Sequence, residues 1–190
     1  MLSSLKKSKM PSTWSPERLN FAVIRIAEAI GTSECAGLLV EAKSHQRWYS
    51  LRRYDDALTS TIPPTIEREV QVSAGFKGSW EPSLLLPKLA HLVKNSWGIS
   101  LKKFSGHGVS RYDTESRLPL HQDTQHDDGR LVTFVLYLSI AEAGGEIQFP
   151  TVDLTVATHP GDILIFPSNL PHMVAPISRG DRWVMVWFGE

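Results

Sequence analysis

From residue 99 onward the chain is a succession of short alternating or apolar runs, and that texture limits the fold more than any other feature. The runs span 99–104, 108–112, 131–138, 146–149, 154–157, 162–166, 173–177 and 182–188. Turn-forming residues separate them: Gly106, Asp128-Gly129, Gly144-Gly145, His159-Pro160-Gly161, Pro167 and Arg179-Gly180. Eight short strands with turn signals and no helical repeat between them predict an antiparallel jelly roll or barrel.

The first half reads differently. Residues 1–18 resemble a flexible lead, with Pro11 and Pro16 marking irregular backbone. Residues 20–30 mix two periods: Phe21, Val23 and Ile24 suit a strand, while Ala27, Ala29 and Ile30 would extend a helix. Thr32 or Ser33 is a plausible N-cap for a helix over 34–42, which buries Leu38, Leu39 and Ala42. Cys35 falls in that apolar pattern and reads as a packed thiol. Trp48, Tyr49, Leu51 and Tyr54 suit either core or pocket. Residues 61–64 form a loop, 67–76 a strand, and Gly75 and Gly78 a permissive turn. Glu81-Pro82 opens a second helix through Leu85, Leu89, Leu92 and Val93, or Pro87 does, and Gly98 closes it. The expected fold is mainly β with N-terminal helices (α+β). A single domain spans 19–190, with helical support over 19–98 and a β core over 99–190.

Charge narrows the function. Lys plus Arg equals Asp plus Glu at 20 each, so no basic surplus favours nucleic acid or an anionic membrane. The lone cysteine excludes an internal disulfide framework and a thiolate-rich metal site. No apolar run is long enough for a transmembrane helix, and the basic start lacks a secretory apolar region, so cytoplasm is the expected compartment. Oligomeric state is not readable.

The chemistry concentrates in His121-Gln122-Asp123, His172 and Arg182. Two imidazoles and a carboxylate make a mixed nitrogen/oxygen set suited to a divalent transition metal, with positions left open for substrates. In a strand, residues i and i+2 project to one face, so His121 and Asp123 can share a barrel mouth. His172 follows a turn able to return to the same cavity. Arg182 is a fixed cation suited to holding a carboxylate, with Arg179 as its rival. His126 offers a competing ligand in a polar loop. His107 and His159 read as loop residues, and His45 and His91 as surface or capping residues. Trp183 and Trp187 read as barrel core.

Five blocks, in order, resemble one family. They are Arg111-Tyr112 with His121-Gln122-Asp123; residues 128–139, with Gly129-Arg130, Thr133 and Tyr137-Leu138-Ser139; Gly144-Gly145-Glu146; residues 161–167; and residues 172–182, from the distal His to Arg182. They are similar to the iron(II)- and 2-oxoglutarate-dependent dioxygenases of the prolyl-4-hydroxylase type. The resemblance implies a double-stranded β-helix (a cupin-like jelly roll) using Fe(II), 2-oxoglutarate and O2, with ascorbate as a candidate reductant. His121, Asp123 and His172 would hold the iron. Arg182 and Tyr137 would hold the distal carboxylate of 2-oxoglutarate, and Tyr112 would line its pocket. The occupied Asp123 position, vacant in related halogenases, implies hydroxylation with decarboxylation of 2-oxoglutarate to succinate.

The sequence departs from the pattern at Glu115-Ser116-Arg117-Leu118, where prolyl hydroxylases carry Gly-Gln and an aromatic. The expected substrate is therefore a small molecule, such as an amino acid or biosynthetic intermediate. Trp48, Tyr49, Arg52 and Arg53 are candidate pocket residues. The alternatives are a protein side chain such as a prolyl residue, and a non-catalytic ligand-binding barrel.

Overall fold

The computed structural model of the protein describes residues 14–45, 48–50, 70–74, 85–124 and 129–190. Six elements precede the β core: β1 (Pro16–Arg18), β2 (Ile24–Ile26), α1 (Thr32–Ser44), β3 (Tyr49–Ser50), β4 (Gln71–Ala74) and α2 (Leu86–Trp97). The core begins with β5 (Phe104–Tyr112), β6 (Leu118–His121), β7 (Val132–Ser139), β8 (Ala143–Gly144) and β9 (Ile147–Phe149). It continues with β10 (Leu154–Val156), β11 (Ile163–Pro167), β12 (His172–Val174), β13 (Ile177–Arg179) and β14 (Arg182–Gly189).

The strands form an eight-stranded sheet in the order β1-β2-β11-β7-β14-β5-β4-β3 and a four-stranded sheet in the order β10-β9-β12-β6, with β13 pairing β8 apart from both. Every pairing is antiparallel. Two facing sheets with the helices on one outer side make the expected double-stranded β-helix.

The strand pleat sorts side chains into two cores. On β7, Phe134, Leu136 and Leu138 point to the helices, while Val135 and Tyr137 point between the sheets. The same alternation divides Ile163 and Ile165 from Leu164 and Phe166 on β11, and Trp183, Met185 and Trp187 from Val184 on β14. Central strands covered on both faces must be apolar throughout, which is why 131–138 and 182–188 read as almost continuous hydrophobic runs. Trp187 is fully buried and stacks on Phe134 at 5.5 Å, so it and Trp183 are core residues as expected.

α1 presents Cys35, Leu38 and Ala42, at spacings of three and four, to the large sheet. A helix this short is marginal alone. Burying Leu38 contributes about 1.5–3 kcal/mol, enough to make packing decide its stability. α2 does the same with Leu89 and Val93, and begins at Leu86 with Pro87 in its first turn. Gly98 ends it in the left-handed region at φ +73°. The earlier start at Glu81-Pro82 lies outside the described residues, as does the 61–64 loop.

Several boundaries differ from expectation. Pro16–Arg18 is a strand rather than part of a flexible lead, because Pro is tolerated on an edge strand and β1 is the sheet's outermost. No helix follows Ile26: Glu28 adopts φ +48°, and Ala29 and Ile30 are buried from a turn. α1 starts at Thr32, two residues before the expected 34, with Gly31 at N-cap and no side-chain cap. Residues 99–103 are not a strand, since Lys102 and Lys103 bond the Glu190 carbonyl from a loop. Phe104–Tyr112 is instead one strand passing through Gly106, whose φ of +73° shifts the register opposite Phe188. Pro176, without an amide donor, divides the run 173–177 between β12 and β13.

Candidate metal centre

β6 and β12 lie side by side in the smaller sheet with His121 directly opposite His172. Their rings stand 4.2 Å apart. Asp123 joins them from the segment that leaves β6. Its Oδ1 is 3.5 Å from His121 Nε2 and its Oδ2 is 3.5 Å from His172 Nε2. The ligand-capable atoms of the three residues all lie within 4.8 Å of one another, the one such group among the described residues.

The hydrogen bonds fix which nitrogens face the cluster. His121 Nδ1 lies 2.8 Å from the Pro119 carbonyl and His172 Nδ1 lies 2.9 Å from the Leu170 carbonyl. A carbonyl oxygen only accepts, so each Nδ1 carries the proton and each neutral ring offers an Nε2 lone pair to the centre. Burial holds the His172 pKa below its ordinary value, favouring that neutral form despite nearby Asp123. Burial opposes ionisation of Asp123, but the two imidazoles beside it and the Thr133 hydroxyl outweigh that and hold its pKa below the ordinary value. A compact set of two imidazole lone pairs and a carboxylate fits Fe(II), and no fourth protein ligand closes the site among the described residues.

Arg182 opens β14 opposite Tyr112 and is buried. Its guanidinium carbon sits 4.5 Å from the Tyr112 ring centre and 5.0 Å from that of Tyr137. Nη2 donates to the Tyr137 hydroxyl at 3.3 Å, while Nε and Nη1 have no hydrogen-bond partner among the described residues. Burial works against its charge, but the two phenol groups outweigh that and raise its pKa. A buried cation with two unused donors is costly unless an anion arrives. Those unused donors suit a carboxylate, the group that 2-oxoglutarate carries at its distal end. Burial also pushes the Tyr112 phenol up, keeping it a neutral wall rather than a charge.

The other candidates are elsewhere. Arg179 is exposed and paired with Glu142 at 2.7 Å, whereas Arg182 is buried against Tyr112 and Tyr137. His45 caps α1 and His91 is an exposed partner of Asn95. His159 is exposed in the turn before β11. Trp48 packs edge-on against Trp183 at 5.5 Å, partly buried against the helix-side core. His126, Leu51, Arg52, Arg53 and Tyr54 lie outside the described residues, and of Tyr49 only the backbone is described. Strand parity was the wrong reason for pairing His121 with Asp123: β6 ends at His121, and Asp123 is held by Ser168 instead.

Residues 107–189 match the 2OG-Fe(II) oxygenase superfamily. The chain belongs to that family. It is 35% identical over 160 residues to a PKHD-type hydroxylase of Crocosphaera subtropica, covering 79% of this chain and 66% of that relative's length. Its fold is similar to that of a Pseudomonas putida prolyl-4-hydroxylase, with a TM-score of 0.65, 21% identity, and 89% and 92% of the two chains covered. A Trichoplax adhaerens prolyl hydroxylase solved with a hypoxia inducible factor peptide fragment gives 0.63 and 16%, covering 88% and 83%. Family membership brings Fe(II) and 2-oxoglutarate to the centre just described, with O2 as the oxidant.

Two residues of the block 128–139 support the ligand set. Thr133 donates to Asp123 Oδ2 at 2.7 Å, and Arg130 Nη1 donates to the Asp123 carbonyl at 3.1 Å. A hydroxyl within the apolar run 131–138 was the available signal for Thr133. Nothing in the sequence marked Ser168.

Proposed function

We propose that the protein is an Fe(II)- and 2-oxoglutarate-dependent hydroxylase. The observation that carries this reading is the pairing of an open His121/Asp123/His172 centre with a buried Arg182 whose Nε and Nη1 await an anion. When bound, iron and 2-oxoglutarate supply the oxidising power: O2 is consumed, 2-oxoglutarate becomes succinate and CO2, and the second oxygen atom enters the substrate.

The chain's own residues hold and orient. His121 and His172 present Nε2, each ring steered by its Nδ1 bond to a backbone carbonyl. Arg182 and Tyr137 fix the far end of 2-oxoglutarate, so its ketoacid end is aimed rather than merely captured. Tyr112 and the apolar residues between the sheets keep water from that carboxylate, which strengthens its pairing with Arg182.

For the substrate, two readings have support. The Glu115-Ser116-Arg117-Leu118 departure favours a free amino acid or other small molecule. There Ser116 is buried against Asp113, and both Glu115 and Ser116 share backbone bonds with Ile177 in place of an open glycine turn. A peptidyl prolyl side chain is favoured by the names of the related proteins and by the peptide bound to the Trichoplax enzyme. The deciding experiment supplies Fe(II), 2-oxoglutarate and O2 with a panel of amino acids, metabolites and proline-containing peptides. Succinate release and a gain of one oxygen by one panel member, both lost in His172→Ala, are expected. No succinate from any member, with no iron bound anaerobically, would sink the hydroxylase reading.

A further inference from the structure

Asp123 is the one ligand that no strand holds. β6 ends at His121, and Asp123 sits in the bend beyond it, so no ladder bond sets its direction. What sets it is a group of hydrogen bonds centred on Thr133 of β7 and Ser168, both fully buried. Ser168 occupies the turn between β11 and β12, the turn that delivers His172. Its carbonyl accepts from Asp123 N at 2.8 Å and from Thr124 N at 3.2 Å, and its own amide donates to the Leu131 carbonyl at 3.0 Å. One residue thus ties the segments carrying two different ligands to each other and to the start of β7.

The side chains add direction. Thr133 Oγ1 is 2.7 Å from Asp123 Oδ2 and 3.0 Å from Ser168 Oγ. An ionised carboxylate only accepts, so the Thr133 proton goes to Asp123, and Ser168 must donate to Thr133. The result is a one-way relay, Ser168 to Thr133 to Asp123, whose members polarise one another in a dry setting. Thr133 occupies Oδ2, while among the described residues no hydroxyl donates to Oδ1, which lies 3.5 Å from His121 Nε2.

We infer that Thr133, oriented by Ser168, is a positioning residue that fixes the Asp123 carboxylate so that it presents one oxygen, Oδ1, to the metal. This rests on the oxygenase reading above. Its role is distinct from filling space: a packing residue would support the fold, whereas Thr133 sets ligand geometry through a single proton.

The test uses the full chain and Co(II) as the probe, followed anaerobically by its absorbance. Thr133→Val keeps shape and removes the proton; it is expected to weaken Co(II) binding by about 10- to 100-fold, the usual cost of losing a ligand's hydrogen-bond partner. Thr133→Ser is expected to restore affinity to within about threefold of wild type, and Ser168→Ala to produce a smaller loss than Thr133→Val. Melting of the metal-free proteins separates the roles. A lowered melting temperature for Thr133→Val with Co(II) affinity within about twofold of wild type would overturn the inference. Should Thr133→Val fail to fold, Ser168→Ala decides: unchanged affinity overturns the inference and weakened affinity supports it. A wild type that binds no Co(II) would instead overturn the oxygenase reading, and the inference with it.

Discussion

Arg182→Met separates binding from folding. The substitution keeps most of the side-chain volume, removes the charge, and deletes the two donors that have no hydrogen-bond partner among the described residues, Nε and Nη1. Charge-assisted hydrogen bonds contribute roughly 1.5–3 kcal/mol each. Losing a two-bond grip therefore removes about 3–6 kcal/mol, or roughly 10²- to 10⁴-fold in 2-oxoglutarate affinity. Arg182→Lys retains a point charge but not the planar fork, and should fall between, at about 10- to 100-fold.

The stability of the empty protein should respond in the opposite sense. Burying two unsatisfied donors costs about 1–3 kcal/mol each. Against that stand the contacts of the guanidinium with the Tyr112 and Tyr137 rings and its bond to the Tyr137 hydroxyl. Two such ring contacts return roughly 0.5–2 kcal/mol each. The terms nearly cancel, so the melting temperature of metal-free Arg182→Met should lie within about 4 °C of wild type, or above it. Calorimetric titration of 2-oxoglutarate into the Co(II)-loaded protein, beside melting of the apo protein, reads both. A variant that melts far lower yet binds 2-oxoglutarate within about threefold of wild type would refute the reasoning, since Arg182 would then be structural.

Arg179→Ala, removing one half of an exposed pair with Glu142, should shift stability by no more than about 0.5 kcal/mol and leave 2-oxoglutarate titrations unchanged. Cys35 is buried, with Sγ 3.2 Å from the Tyr137 carbonyl, and burial pushes its thiol up to about 11. It should resist alkylation at pH 8 in the native protein and react once the chain is unfolded in urea. Because the folded pKa exceeds the ordinary value of 9.0, its contribution to stability is complete below pH 9 and is lost as pH rises toward 11, which Cys35→Ala should abolish. Gly144→Ala should destabilise by about 1–3 kcal/mol in urea melts, because φ is +77° and the new Cβ would run into the Pro176 carbonyl.

Much of the architecture was legible because burial leaves a mark on residue choice. The runs around β7, β11 and β14 are apolar on both faces, and only a sheet covered on both sides asks for that. Gly98 and Pro87 marked the two ends of α2 through backbone constraints that act locally. Thr32 and Ser33 misled, because a cap-forming side chain competes with a simple glycine N-cap and nothing nearby in sequence decides between them. The strand at 118–121 has no apolar run to mark its bounds, because Leu118, Pro119, Leu120 and His121 are half-buried or exposed and carry no clean alternation.

His121, Asp123 and His172 stand out in the sequence as candidate ligands, and Arg182 as a candidate cation, since ligand chemistry restricts each position to a few residue types. Tertiary structure decided how those residues work. It placed His121 opposite His172 by cross-strand register, and it left two buried nitrogens of Arg182 with no hydrogen-bond partner among the described residues. It also brought Thr133 of β7 and Ser168 of the β11–β12 turn onto Asp123. Hydrogen-bond direction and burial depend on which segments meet, and those meetings are set by the folded sheets rather than by any local stretch of sequence.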